Sequence, residues 1–345
     1  MTGAGSAASP GARELIASLA RTIHEVLDPL VPRGARCALL DFPAYSNVGD
    51  SAIWLGERAY LRGRRARIVY TCQLSDYSRW ELARGLGDGV ILLGGGGNLG
   101  DLWPAHQRLR ERVIADFPDS RIVQLPQTIH FRDPANLSRA RRVFEGHQHL
   151  TVLVRDRRSL GIAQAELRAA SALCPDMVFA LGPLRRRGAP SGDIVWLARS
   201  DIESRGGPLP PLSPGEERTD WVTEAPSLTA QMSEVRVRHM GRHPRLLGWL
   251  AGPGNLLYDV AARQRLARGC ALLARGRVVI TDRLHGHTLS LLLGLSHVIL
   301  DNSYGKVREF FETWTKASPL ATWAETPAEA LERARALVRE LGADR

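Results

Sequence analysis

Four junctions in this sequence join the end of an apolar run to residues with little packing value. In VVITDRLHGHTLSLLLGL, residues 278–295, Asp282, Arg283, His285 and His287 stand between a strand-like run and an apolar helical one. Arg283 offers a rigid fork of donors suited to a carboxylate or a phosphate. His285 falls at the start of the helix, where an anion is favoured, and a phosphate bound beside it would keep a proton on the ring ready for transfer. A turn that only joins a strand to a helix needs neither residue. His287 reads instead as a core histidine.

The other three junctions are less specific. DFPAYSNVGDSAIWLGE places Asn47, Gly49 and Asp50 in a turn, with Ser51 or Asp50 available to cap the next helix. ILLGGGGNLGDLW sets Gly94, Gly95, Gly96 and Gly97, followed by Asn98, directly after a buried run. Four glycines allow close backbone approach to a ligand, and successive N–H groups can cradle an anion at a helix N-terminus. The lysine and hydroxyl residue of a Walker A loop are missing. VLVRDRRSL ends a strand on Arg155 and Asp156; Arg155 could fork onto an anion or simply form an ion pair at a helix start. No spacing suits a metal, and no GxSxG elbow occurs. Aromatic residues make up 6% and are not interleaved with arginines, which disfavours a nucleic-acid surface.

These junctions need a scaffold that repeats strand, turn and helix. RCALLDF, ARIVYTC, GVILLGGG, RIVQLPQTI and LTVLVRD read as strands buried on both faces, separated by helical patterns such as SAIWLGERAYLRG and AHQRLRERVIADF. An amphipathic helix from about Pro10 to Asp28, with Ser9 as its cap, precedes them. LGPLRRRGAPSGD interrupts the alternation and marks a boundary. DIVWLAR, RVVITD and HVILDN then supply further strands, RGGPLPPLSPGEERTD reads as a surface loop, and a charged helix capped at Thr326 closes the chain. The expectation is an α/β protein of two doubly wound domains facing across a cleft: residues 1–185, residues 186–325, and a C-terminal helix over 326–345. Ligands would sit at the carboxyl ends of the strands.

The 345 residues suit two such domains. Net charge is +10, yet Lys306 and Lys316 are the only lysines among 46 basic residues. That balance suits an anionic ligand or a phospholipid surface. Cys37, Cys72, Cys174 and Cys270 lie far apart and form no ligand pair, so reduced thiols are expected. Without a signal-like start or a run of about 20 apolar residues, a cytoplasmic protein is expected.

Taken together, NVGDSAIWLGE, GGGGNLGDLWP, VQLPQTIHF, VRDRRS with CPDMVFAL, WLARSDIES and TDRLHGHTLSLLLGLSHVILDNSYGK resemble the polysaccharide pyruvyl transferase family in content and order, over about Leu39 to Trp314. RLHG followed by DNSYGK is especially similar to members that serve bacterial exopolysaccharide synthesis. The resemblance implies two Rossmann-like halves arranged as in the glycosyltransferase-B fold. It also implies phosphoenolpyruvate as donor substrate, no cofactor, and a glycan acceptor that receives the pyruvyl group as a cyclic ketal. Arg283 and His285 match the family's Arg-x-His motif at the donor, Arg155 matches an upstream arginine, and the glycine run and Asn47–Asp50 turn line the cleft. His285 is then expected to supply a proton or steady the departing phosphate. Asp50 would accept a hydroxyl proton, with Asp101, Asp156 and Asp282 as substitutes.

RVRHMGRHPRLLGWLAGPGNLLY sets Arg236, Arg238, Arg242 and Arg245 ahead of Leu246, Leu247, Trp249 and Leu250, either a shallow interfacial segment or a basic loop before a packed helix. The first would place the protein at the inner face of the membrane, near a lipid-linked acceptor. Two other functions compete: a nucleotide-sugar-dependent glycosyltransferase on the same scaffold, and a glycan-binding protein without activity. Together, Arg155, Arg283 and His285 argue against the last, since a binding module has no use for a proton donor at an anion site.

Overall fold

The computed structural model describes residues 10–222 and 256–343. Ser9 and the segment Arg236–Leu250 lie outside the described residues. Helix α1 (Pro10–Leu27) buries Ala12, Ile16, Leu19, Ile23 and Leu27, a stripe at helical spacing. The apolar runs become strands β1 (Arg36–Leu40), β2 (Arg67–Cys72), β3 (Val90–Leu93), β4 (Gly96–Gly100), β5 (Arg121–His130), β6 (Leu150–Val154) and β7 (Ala170–Leu173). They pair in parallel in the order β2-β1-β3-β5-β6-β7, and β4 pairs with the far half of β5. Helices α2 (Val48–Gly63), α3 (Arg79–Leu86), α4 (Pro104–Asp116), α5 (Pro134–Glu145) and α6 (Arg157–Ala165) cross between them.

A second parallel sheet follows a 3₁₀ turn at Met177–Leu181. Its strands are β8 (Gly192–Leu197), β9 (Glu216–Thr219), β10 (Gly276–Thr281), β11 (His297–Ile299) and β12 (Ala321–Trp323), in the order β12-β11-β10-β8-β9. Helices α7 (Leu256–Leu273), α8 (Leu284–Leu292), α9 (Lys306–Phe310) and α10 (Pro327–Ala343) complete this half, and Thr326 Oγ1 accepts the Glu329 N–H at the start of α10. One expectation is corrected. The end of the proline- and glycine-rich excursion is not loop: Glu216–Thr219 is edge strand β9, paired with β8. Its charges hid it in the sequence, and charge is what an exposed edge uses against further pairing. Among the described residues, no helix is long and apolar enough to cross a membrane.

Each sheet starts in the order 2-1-3, so the chain reverses direction beside β1 and again beside β8. Such reversals leave a crevice at the carboxyl ends of the flanking strands. The two crevices, β1/β3 and β8/β10, face one another.

Between the sheets the core is continuous. One apolar cluster joins Leu39 and Leu92 of the first sheet to Val195 and Val279 of the second, through Trp54, Tyr258 and Leu289. Phe42 stacks on Tyr258 with ring centres 4.0 Å apart, and Trp54 meets both rings edge-on. The buried Asp259 of α7 accepts the Trp54 indole N–H at 3.0 Å and the Arg58 guanidinium at 2.9 Å, both from α2. Removing one partner from such a buried pair typically costs about 3–5 kcal/mol.

His287 is fully buried in α8, as a core histidine. A consistent chain of neutral groups runs through it. Thr315 Oγ1 donates to His287 Nε2 at 2.8 Å, His287 Nδ1 to His297 Nε2 at 2.7 Å, and His297 Nδ1 to the Leu295 carbonyl at 2.8 Å. Burial pushes His287 well below its ordinary pKa and His297 down to about 4. Since the folded state resists protonation, this pair contributes stability above the unfolded value near 6.5, and loses it as pH falls through the interval down to about 4. Urea titrations of the wild type and His297→Gln should show the wild type's advantage shrinking over that interval, by at most about 1.4 kcal/mol per pH unit for one such group. A constant difference would mean the pair is not neutral.

Candidate active site between the two sheets

The facing crevices form a cleft of about 400 Å³ whose lining includes Asn47, Asp50, Gly97, Asn98, Arg155, Arg283 and His285. Seven of the residues singled out from the sequence therefore meet in one place, from segments up to 238 positions apart. Gly94, Gly95 and Gly96 do not line it.

On the first wall, Asn47 caps α2, not Ser51 or Asp50. Its Oδ1 accepts the Gly49 N–H at 2.9 Å while its Nδ2 donates to Asp50 Oδ2 at 2.9 Å. Tyr45 OH donates to the same Asp50 oxygen at 2.8 Å. Gly49 is needed for space: a Cβ there would lie 2.1 Å from His285 Nδ1. The first turn of α2 is thus in contact with the imidazole from the other sheet.

The glycine run does not open a helix, and so is not the anion cradle expected of it. It continues the sheet as β4 because β5 carries Pro126, which has no N–H to pair, and the ladder shifts register there. Several of its polar groups are already used. Gly95 N–H donates to Glu57 at 2.7 Å, Asn98 N–H to Gln127 Oε1 at 3.0 Å, and the Gly94 carbonyl accepts from Gln124 and Gln127. Burial pushes the Glu57 carboxyl up to about 8, against the bond from Gly95. Only Gly97 reaches the ligand space, and a Cβ on it would come within 2.9 Å of Arg155 Nη2.

The second wall is cationic and internally paired. Arg283 Nη2 donates to Asp220 at 2.5 Å and to Asp201 at 3.3 Å. Arg199 forks onto Asp201 at 2.7 and 3.1 Å and reaches Glu203 at 3.0 Å. Glu203 also holds the Lys306 ammonium. Burial pushes Lys306 down to about 8, with the Glu203 charge opposing that shift.

Asp176 connects the walls. Its Oδ2 accepts from Arg155 Nη1 at 2.5 Å and lies 3.4 Å from His285 Nε2. Burial alone would raise this carboxyl, but the His285 contact and the Arg155 charge hold it well below the usual carboxylate range. Thr128 Oγ1 accepts from Arg155 Nε at 3.0 Å, fixing the guanidinium on its other edge.

The three carboxylates considered beside Asp50 are used elsewhere. Asp156 caps α6 and accepts from Thr128; Asp101 accepts the N–H groups of Arg132 and Asp133. Asp282 accepts the Arg199 N–H outside this cleft, its carboxyl raised to about 6 by burial. Sequence reasoning passed over Asp176, Arg199, Asp201, Glu203 and Lys306 as site residues. Two signals were present. Arg199, Asp201 and Glu203 alternate just after β8, at the reversal of strand order. Lys306 is one of only two lysines in an arginine-rich chain, which marks a place for a compact, titratable charge.

Comparison with known proteins bears directly on this site. Residues 47–304 match the sequence pattern of the polysaccharide pyruvyl transferases, a stretch that begins on the α2 cap and ends two residues before Lys306. The chain belongs to that family. Pyruvyl transferase 1 of Schizosaccharomyces pombe is 34% identical over 294 residues, covering 81% of this chain and 69% of that protein. EpsO of Bacillus subtilis, named as a candidate pyruvyl transferase, is 30% identical over 312 residues, covering 88% and 92%. A solved structure of a functionally uncharacterised Klebsiella pneumoniae protein shares the fold, with a TM-score of 0.59 at 16% identity, over 89% of this chain and 99% of the other. This chain is therefore a transferase, and its cleft is the place to look for the chemistry.

The contact at Gly49 gives the transferase a sharp test. Gly49→Ala must displace His285 from its present position beside Asp176, and a displacement of about 1 Å can cost on the order of 100-fold in rate. Pyruvyl transfer should fall at least about tenfold while the Tm changes little; unchanged activity would mean the imidazole position does not matter.

Proposed function

We propose that this transferase moves the pyruvyl group of phosphoenolpyruvate onto a sugar of a polysaccharide or lipid-linked oligosaccharide as a cyclic ketal, releasing phosphate. The observation that carries this reading is the shared Asp176 oxygen, which keeps Arg155 and His285 within one carboxylate of each other. An anion-gripping fork and a proton-carrying ring at that separation suit a donor with a carboxylate and a phosphate on one small frame. Arg283 supplies a second fork, its Nε buried without a partner among the described residues, and Lys306 a third positive charge.

The chemistry follows from the donor. Protonation at C3 of the enol makes C2 electrophilic, and a sugar hydroxyl adds there. A second hydroxyl then attacks C2 as the C2–O bond to phosphate breaks, closing the ketal. Asp176 holds the ring of His285 by Nε2, and the protonated ring is the group that delivers the C3 proton. Asp50, with Oδ2 occupied by Tyr45 and Asn47, keeps Oδ1 to receive an acceptor hydroxyl. The two sheets are read as the halves of a glycosyltransferase-B-like arrangement, residues 1–185 and 186–325, with 326–345 as the closing helix. A lipid-linked acceptor would draw the protein to the inner face of the membrane.

Glycan-dependent phosphate release from phosphoenolpyruvate tests the reading. His285→Ala should lower it at least about 100-fold with the fold retained. Nucleotide release from a nucleotide sugar, with no phosphate from phosphoenolpyruvate, would replace this reading with a glycosyltransferase. Donor affinity by calorimetry should weaken as pH rises past about 8, where Lys306 gives up its charge, and Lys306→Arg should flatten that dependence. An identical pH profile in the variant would remove Lys306 from the donor site.

A further inference from the structure

The cleft contains a second histidine held by a carboxylate, contributed by the first half of the chain. His106, in the first turn of α4, directs Nδ1 at both oxygens of Asp41, at 2.8 and 3.0 Å. Asp41 follows β1 with φ of 73°, a conformation uncommon for a residue with a side chain. Backbone strain of this kind persists where surrounding structure holds it in place. Its effect here is to turn the carboxylate under the imidazole. Since Nδ1–H donates to Asp41, the neutral ring carries its lone pair on Nε2. Nε2 has no partner among the described residues, and His106 lines the cleft.

The surroundings of His106 suit a sugar, not an anion. The Tyr45 ring stands edge-on to the imidazole with centres 6.1 Å apart, and its hydroxyl is bonded to Asp50. Trp103 and Tyr45, 37% and 40% exposed, line the cleft with Ser46 and Asn47. Aromatic faces with amide and carboxylate edges are what a carbohydrate's apolar faces and hydroxyls require. Arg199, Arg283 and Lys306 enter the cleft from the second half of the chain, and Arg155 from the end of β6 beside Gly97.

We infer that His106, in place of the Asp50 expected from the sequence, is the base that takes the proton from the acceptor's attacking hydroxyl, with Asp41 as its positioning residue and Asp50 orienting the acceptor through a hydrogen bond; this rests on the donor reading above. The proton account closes with two histidines. The first hydroxyl gives its proton to His106 Nε2 as its oxygen bonds to C2, while protonated His285 delivers one to C3. In the second half, the second hydroxyl gives its proton to His285 as its oxygen bonds to C2. The C2–O bond to phosphate breaks, and the departing phosphate takes the proton held on His106. Both rings return to their starting states. Of the two hydroxyl protons, one ends on C3 and one on phosphate.

His106→Asn is the informative variant, because the asparagine amide can still donate to Asp41 while Nε2 is lost. In the full-length protein, glycan-dependent phosphate release should fall at least about 100-fold in kcat, with KM for phosphoenolpyruvate and calorimetric donor binding within about twofold of wild type. Asp41→Asn should lower kcat in the same direction by upsetting the tautomer, and imidazole added to His106→Gly should restore part of the rate. A kcat retained within about threefold in His106→Asn, or a loss of donor binding in parallel with kcat, overturns the assignment of His106 alone. Absence of glycan-dependent phosphate release by the wild type overturns the donor reading and the role of His106 with it.

Discussion

A carboxylate buried as deeply as Asp176 must be neutralised by what surrounds it, since an uncompensated charge in that position would cost several kcal/mol. The compensation comes from two directions: Arg155 at the end of β6, and His285 at the start of α8 in the second sheet. One oxygen atom therefore ties the strand ends of one sheet to a helix start of the other. Thr128, Asp156 and the α6 cap serve the Arg155 side of this arrangement, while Gly49 and the α2 cap make room on the His285 side.

The apolar core supports the same junction. Helices α2 and α7 dock through Phe42, Trp54 and Tyr258, with Asp259 closing the polar edge, so the two sheets share a core rather than merely touching. Large apolar interfaces of this kind leave little freedom for one half to swing against the other. The geometry at Asp176 is consequently a property of the whole fold.

The alternation of buried runs and helices was legible from the sequence, because strands buried on both faces must be apolar throughout. The strand ends at Arg283 and His285 stood out too, since those residues have no role in a bare turn, whereas Arg155 stood open between an anion fork and an ion pair. The glycine run was misread in part: Gly97 lines the cleft, but Gly94 to Gly96 belong to the sheet, with the Gly95 N–H and the Gly94 carbonyl taken by Glu57, Gln124 and Gln127 instead of an anion. Strand β9 was missed because an edge strand protects itself with the charges that mark a loop. Asp176, Asp41 and His106 could not be identified in advance, as each matters through a partner between 65 and 109 positions away.

The four basic side chains of the cleft do not wait with free charges. Arg155 rests on Asp176, Arg199 on Asp201 and Glu203, Arg283 on Asp201 and Asp220, and Lys306 on Glu203. A wall built in this way behaves like an ion exchanger supplied with its own counter-ions. A stray cellular phosphate gains little by entering, because each bond it forms weakens one already present. A ligand whose two anionic groups reach several of these cations at once gains more than it disrupts, and is retained. The carboxylates recover their partners when the product leaves. On the proposed function, selectivity and turnover would arise from the same built-in competition.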